Sequence, residues 1–131
     1  MDFSNIDLES WAEDGAEMIV KHPVTLEDLH DENGKPVTIW VKGLDSPEAK
    51  SIARAAAVSM QNGNAKKLEK DGLELLLKIT SKWQGIGWDG KELDCTPKNI
   101  RFFYEKREWV GLQVIEFARD RRNFFSEESS D

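Results

Sequence analysis

The segment SKWQGIGWDGKELDCTPKN, Ser81 to Asn99, sets two tryptophans beside three glycines, and neither one helix nor one strand can run through it. Glycine and Asp-Gly interrupt both the helical and the strand period. Apolar residues at helical spacing lie on both sides, so the chain has to reverse here between two packed helices. Trp83 is expected to close the helix before the corner, Gly85 and Gly87 to turn the chain, and Asp89-Gly90 to make a tight turn. Thr96-Pro97 is expected to launch the next helix, with proline in the first turn where a missing N–H is harmless.

The rest of the chain is punctuated in the same way. AEMIVKHP and KPVTIWVKG are β-branched runs on either side of DENGK. Asn33-Gly34 supplies the positive φ of a tight turn, which predicts strands near Glu17 to Lys21 and Val37 to Lys42, with PVTLEDLHDENGK long enough for an excursion before the turn. A helix follows, with Ser46 as cap, Pro47 in the first turn and Gly63 at the end. Its shared face is Ala49, Ile52, Ala53, Ala56 and Met60. A second helix is predicted from Ala65 to Lys82, on Leu68, Leu75, Leu76, Ile79 and Trp83. A third, from Thr96-Pro97, carries Ile100, Phe103, Tyr104 and Arg107 on one side. A fourth begins near Trp109, with a stripe of Val110, Val114, Phe117, Ala118, Arg121 and Phe124 or Phe125.

The expected class is therefore α+β: an N-terminal β-hairpin or small meander followed by a bundle of about four α-helices. Residues 1–125 are expected to form a single domain, within the size range of one core. Its parts are an arm over 1–15, the hairpin over 16–43 and a helical part over 46–125. The arm is acidic, with Phe3, Ile6, Leu8 and Trp11 as isolated anchors, and forms either a short helix or a docking strap. The end, SEESSD over 126–131, has the composition of a disordered acidic tail.

Charge narrows the function. At a formal −7 the chain is no general nucleic-acid binder, because phosphate neutralisation needs clustered Lys and Arg. The charge is also uneven: residues 1–34 hold ten acids against the single Lys21, and residues 96–122 hold seven bases against four acids. The two ends are expected to attract each other, within one molecule or between copies. Cys95 is the only cysteine, which points to a reducing compartment. The start, MDFSNIDLESW, lacks the basic and apolar regions of a signal peptide, and no segment approaches a membrane span. The expected location is cytosolic, with no membrane partner.

No catalytic constellation emerges. His22 and His30, with Glu27, Asp28, Asp31 and Glu32 nearby, match no ligand spacing, so a solvated acidic loop is the better reading and no metal or other cofactor is expected. Cys95 has no histidine after it to act as a base and reads as an apolar filler before a helix cap. Glu69, Glu74, Glu105, Glu108 and Glu116 fall mostly on solvent faces of helices, where carboxylate pairs lack a cleft. The glycines of WQGIGWDG follow no phosphate-loop spacing.

The tryptophans remain. Trp83 and Trp109 are expected to be structural, together with Gly85, Gly90, Thr96 and Pro97 of the corner. Trp88, between Gly87 and Asp89, is either core or an exposed anchor for another protein. The ending ARDRRNFF has two readings as well. Arg119 and Arg122 suit a helix C-terminus, with Asn123 in the left-handed cap. Alternatively Phe124 and Phe125 join Trp88 in a protein-binding patch.

HPVTLEDLHDENGKPVTIWVKGLDS, followed by WQGIGWDGKELDCTPKNIRFFYEKREWVGLQVIEFARDRRNFF, resembles the tail assembly chaperones and related small tail-assembly proteins of long-tailed bacteriophages and prophages. The resemblance spans about His22 to Phe125. It is carried by the NGKPVTI hairpin leading to Asp45-Ser46, the two-tryptophan corner, the Thr-Pro helix start and the closing Asn123-Phe124-Phe125. It implies a non-enzymatic protein of the host cell cytoplasm that binds the tape measure protein and helps recruit tail tube protein. It also implies absence from the finished virion, and in that family a longer frameshifted product. Competing readings are a structural tail or head-tail connector component retained in the virion, and a small hydrolase or nucleic-acid accessory factor.

Overall fold

A computed structural model describes residues 1–125; the acidic tail expected over 126–131 lies outside the described residues. Helix α1 (Leu8–Asp14) leads into strand β1 (Ala16–Ile19) and then β2 (Thr38–Val41). Helices α2 (Pro47–Gln61) and α3 (Ala65–Ile79) follow, then β3 (Thr80–Gln84), β4 (Gly87–Trp88), β5 (Lys91–Glu92), α4 (Pro97–Lys106) and α5 (Glu108–Arg119). The class is α+β, as the periodicities imply. Strands β1, β2 and β3 form an antiparallel sheet in that order, and β4 with β5 makes a separate small hairpin.

The N-terminal hairpin forms, with Glu17 opposite Trp40 and Ile19 opposite Thr38. The excursion between its strands is not loose. Leu29 is threaded between Val20 and Val37: its N–H donates to the Val20 carbonyl at 3.0 Å and its carbonyl accepts from the Val37 N–H at 2.9 Å. The Asn33-Gly34 turn closes where expected, the Gly34 N–H donating to the Asp31 carbonyl at 3.0 Å.

The second helix stops three residues short of its predicted end. Ser81 and Lys82 are strand, because Thr80 leaves the helix with extended backbone and the segment pairs with β2, Ile39 opposite Trp83. Ile79 and Trp83 sit four apart, which mimics a helical stripe. The ladder beside β2 outweighs that local preference. Trp83 therefore stands on a strand and does not close a helix.

Helix α2 buries Ala49 and Ser59, with Met60 exposed in place of the predicted contact. Polar contacts explain the shift: the Ser59 hydroxyl donates to the Ala55 carbonyl at 3.1 Å and lies 3.2 Å from the Asp71 carboxylate on α3. Ser46 occupies the cap position without a side-chain cap bond. Asn64 makes one for α3, its side chain accepting the Lys67 N–H at 3.1 Å. Thr96 caps α4 by accepting the Asn99 N–H, with Pro97 in the first turn.

The core lies between the sheet and helices α3, α4 and α5. Ile39, Val41, Ile79, Val110 and Val114 are fully buried there, and the Tyr104 hydroxyl shares a 2.8 Å bond with Thr80. Burial drives the Tyr104 phenol well above its ordinary value, so it stays protonated.

The acidic arm is held by the middle of the chain. Glu13 pairs with Lys42 at 2.7 Å and Glu9 with Lys50 at 3.0 Å. At the other end Arg121 forms a two-bond pair with Asp45, at 2.7 and 2.9 Å. Within the molecule, among the described residues, Glu9, Glu13 and Arg121 pair with residues 42–50 and not from one end to the other. Hydrogen bonds from Arg121 hold the Asp45 carboxyl below its ordinary value. A lowered folded pKa means that the contribution is full above the ordinary carboxylate value and is lost as pH falls through the lowered one. Arg121→Ala is expected to lower stability slightly at neutral pH, with the difference from the parent shrinking as pH falls and Asp45 becomes protonated, in parallel urea melts.

Candidate functional site

The corner is a hairpin set against α4. Asp89 and Gly90 both have positive φ, +50° and +79°, the geometry of a tight two-residue turn, and they join β4 to β5. Gly85 turns the chain, whereas Gly87, expected to share that role, is paired in β4 with Glu92. Trp83 is half-buried: its indole N–H donates to the Leu93 carbonyl at 2.7 Å and its ring meets Phe103 edge-on at 5.4 Å. Trp88 is half-buried too, with Phe102 edge-on at 5.0 Å and the Arg107 guanidinium over its face at 4.6 Å. Beside it opens a pocket of about 390 Å³ whose walls include Leu29, Ile86, Trp88, Phe103, Arg107 and Trp109.

The three proposed anchors do not converge. Phe124 is 7 % exposed and packs edge-on against Phe117 at 5.6 Å, so it is core. Phe125 is 56 % exposed and meets Trp11 at 5.3 Å, fastening α1 to the end of the chain. Trp88 has the separate partners already named. Asn123 does not take a left-handed cap. It lies in a 3-10 turn, Arg121–Asn123, and its side-chain amide donates to the Phe117 carbonyl at 2.9 Å. α5 ends where Asp120 takes extended backbone, its N–H and the Asn123 amide both donating to the Phe117 carbonyl, with no positive φ at the cap.

A larger apolar surface lies elsewhere. Between α3 and α5 runs a groove of about 980 Å³, with Leu73, Leu76, Leu112 and Ile115 on its walls. Gly111 brings the helices together at the base, where an added Cβ would stand 2.9 Å from a Leu76 methyl. Gly72, which has nothing within 4 Å of its Cβ position, leaves the rim open. Lys66, Lys70 and Glu69 border the α3 side, and Glu105 and Glu108 the opposite side. Leu112 is 66 % exposed. It was detectable in the sequence as an apolar residue off the buried stripe of α5, but nothing local says that it adjoins α3.

Cys95 is half-buried, and burial raises its thiol pKa, so the nucleophilic thiolate is disfavoured. His22 is engaged by its own turn, Nδ1 accepting the N–H groups of Val24 and Thr25 at 3.1 Å each. Among the described residues no three His, Cys, Asp or Glu side chains are grouped to hold a metal ion, and no helix is long and apolar enough to cross a membrane. No protein-family model, curated protein or solved structure matches the chain.

Proposed function

We propose that this chain is a non-catalytic tail assembly chaperone of a long-tailed phage or prophage, acting in the host cytoplasm. It would hold amphipathic helices of the tape measure protein and present them to tail tube protein. The observation that carries this reading is the α3–α5 groove. Its apolar floor, open rim and mixed-charge borders suit an amphipathic helix laid apolar side down, with its flanking charges paired at the edges. The motif order around the hairpin, corner and final helix supplies the phage context.

The test is co-expression with a tape measure protein. Leu112→Glu places a charge in the groove from an exposed position, so its melting temperature is expected to stay within about 2 °C of the parent. Client recovery by affinity purification is expected to fall at least about tenfold. Parental recovery with Leu112→Glu, together with loss on Trp88→Ala, would move the client to the corner pocket. Parental recovery with both would reject the chaperone reading for these surfaces.

Copies of the chain are further proposed to associate side by side along a long client, through charged contacts. Sedimentation at low ionic strength is expected to show larger species that dissociate as salt rises from about 50 to 500 mM. A monomer at every salt concentration would reject self-association.

A further inference from the structure

We infer that the outer edge of β1 is a strand-addition site for an extended, cation-bearing segment of another polypeptide. This contact lies on the other side of α5 from the helix groove, with Leu112 lining both, so it is tested through Glu17 and Ile19, which the helix groove does not include.

The first observation is the direction of the backbone. β1 is the terminal strand of its sheet. Met18 is paired with Ile39, and the Val20 N–H donates to the Val37 carbonyl at 2.9 Å, so the even-numbered residues face β2. By alternation the N–H and C=O groups of Glu17, Ile19 and Lys21 point away from the sheet. At Lys21 that outward pair is filled: Gln113 of α5 accepts the Lys21 N–H at 3.0 Å and donates to the Lys21 carbonyl at 2.8 Å. A primary amide making both bonds does what a peptide unit of a neighbouring strand would do. Gln113 thus occupies one rung of an absent strand, and the rungs at Ile19 and Glu17 have no partner among the described residues.

The second observation is a place for side chains. Between this edge and α5 lies a groove of about 440 Å³, with Ile19, Leu26, Leu112 and Phe117 on its walls. Ile19 is 36 % and Leu26 67 % exposed. Leu26 holds φ at +63°, a left-handed conformation that an L residue adopts at a cost. The His22 turn imposes it, the Leu26 N–H donating to the His22 carbonyl at 3.0 Å. The fold therefore holds an apolar side chain at the groove's mouth.

The third observation is charge. Lys21 is paired with Asp28, Glu116 with Arg119, and Asp120 with Arg122. Glu17 has no ion pair among the described residues, so the occupant places Lys or Arg across from it. A second copy fits poorly. Pairing the two open rungs antiparallel would set Glu17 of each copy diagonal to the other, on chains that each carry −7. The strand that fits has apolar side chains two residues apart for the groove and a cation beside Glu17.

The probe is an end-blocked Lys-Val-Thr-Val-Lys peptide titrated into the isotopically labelled full chain, followed by amide NMR. Expected are saturable shifts centred on Glu17, Ile19, Leu26 and Leu112, and at least roughly tenfold slower hydrogen exchange at the Glu17 and Ile19 amides. Ile19→Pro deletes an outward N–H that β2 does not use, and is expected to weaken binding by about tenfold or more while the protein stays folded. Glu17→Lys, which leaves the backbone alone, is expected to reverse the preference toward a Glu-Val-Thr-Val-Glu peptide. Absence of saturable binding, shifts centred on another surface, or an unchanged preference in Glu17→Lys would overturn the proposal. So would parental affinity in folded Ile19→Pro. Exchange protection at Glu17 and Ile19 that grows with protein concentration without peptide would assign the edge to a second copy. A chain that binds the peptide here but fails to recover tape measure protein would leave this site standing and the chaperone reading rejected.

Discussion

Trp83→Ala is expected to lower stability by about 3 kcal/mol or more, a fall in melting temperature of roughly 10 °C for a domain of this size. Three losses combine. The ring leaves a space against Phe103, its edge-on neighbour at 5.4 Å. The Leu93 carbonyl loses its 2.7 Å donor. The strand position opposite Ile39 loses the side chain that covers it. Trp83→Phe separates these contributions, because it keeps most of the apolar area and removes the hydrogen bond. It is expected to recover more than half of the loss. Denaturant melts that overlay the parent for Trp83→Ala would show that the corner is not anchored through this residue.

Gly15→Ala is expected to be comparably damaging, by about 3 kcal/mol, although it adds one methyl group. Gly15 joins α1 to β1 at φ +75° and ψ −179°, a region essentially restricted to glycine. The added Cβ would stand 2.8 Å from the Val41 carbonyl oxygen and 2.7 Å from the Trp40 indole nitrogen. Relief requires moving a buried strand or breaking the 3.1 Å bond from that indole to the Asp14 carbonyl. Gly63→Ala is the control. Its φ is +68°, but nothing lies within 4 Å of its Cβ position, so it carries the backbone cost alone, about 1 kcal/mol. Equal losses for the two variants would mean that α1 is not seated on the sheet.

The candidate surfaces are less legible in the sequence than the fold. In the sequence Trp88 is open between core and exposed anchor; the ring is half-buried, with Phe102 edge-on and the Arg107 guanidinium over its face. Phe124 and Phe125 look equivalent in sequence, yet one is core and the other is half-exposed against Trp11. Which phenylalanine turns inward depends on the 3-10 turn that Asp120 and Asn123 set up beyond α5. Leu112 and Gln113 were passed over because their importance comes from neighbours far along the chain, α3 for one and β1 for the other.

Local chemistry alone determined the punctuation of this protein. Pro47 and Pro97 open helices, Gly63 closes one, Asn33-Gly34 and Asp89-Gly90 turn the chain, and the class is α+β. Each of these follows from steric and hydrogen-bonding preferences that act within about four residues. Tertiary structure decided that Thr80–Gln84 is a strand, that Ser59 is buried while Met60 is not, and that two glycines on different helices shape one groove. The physical reason is partnership over distance. A strand needs another strand to complete its ladder, a buried hydroxyl needs Asp71 and a carbonyl within reach, and an apolar groove exists only once two helices have been brought side by side.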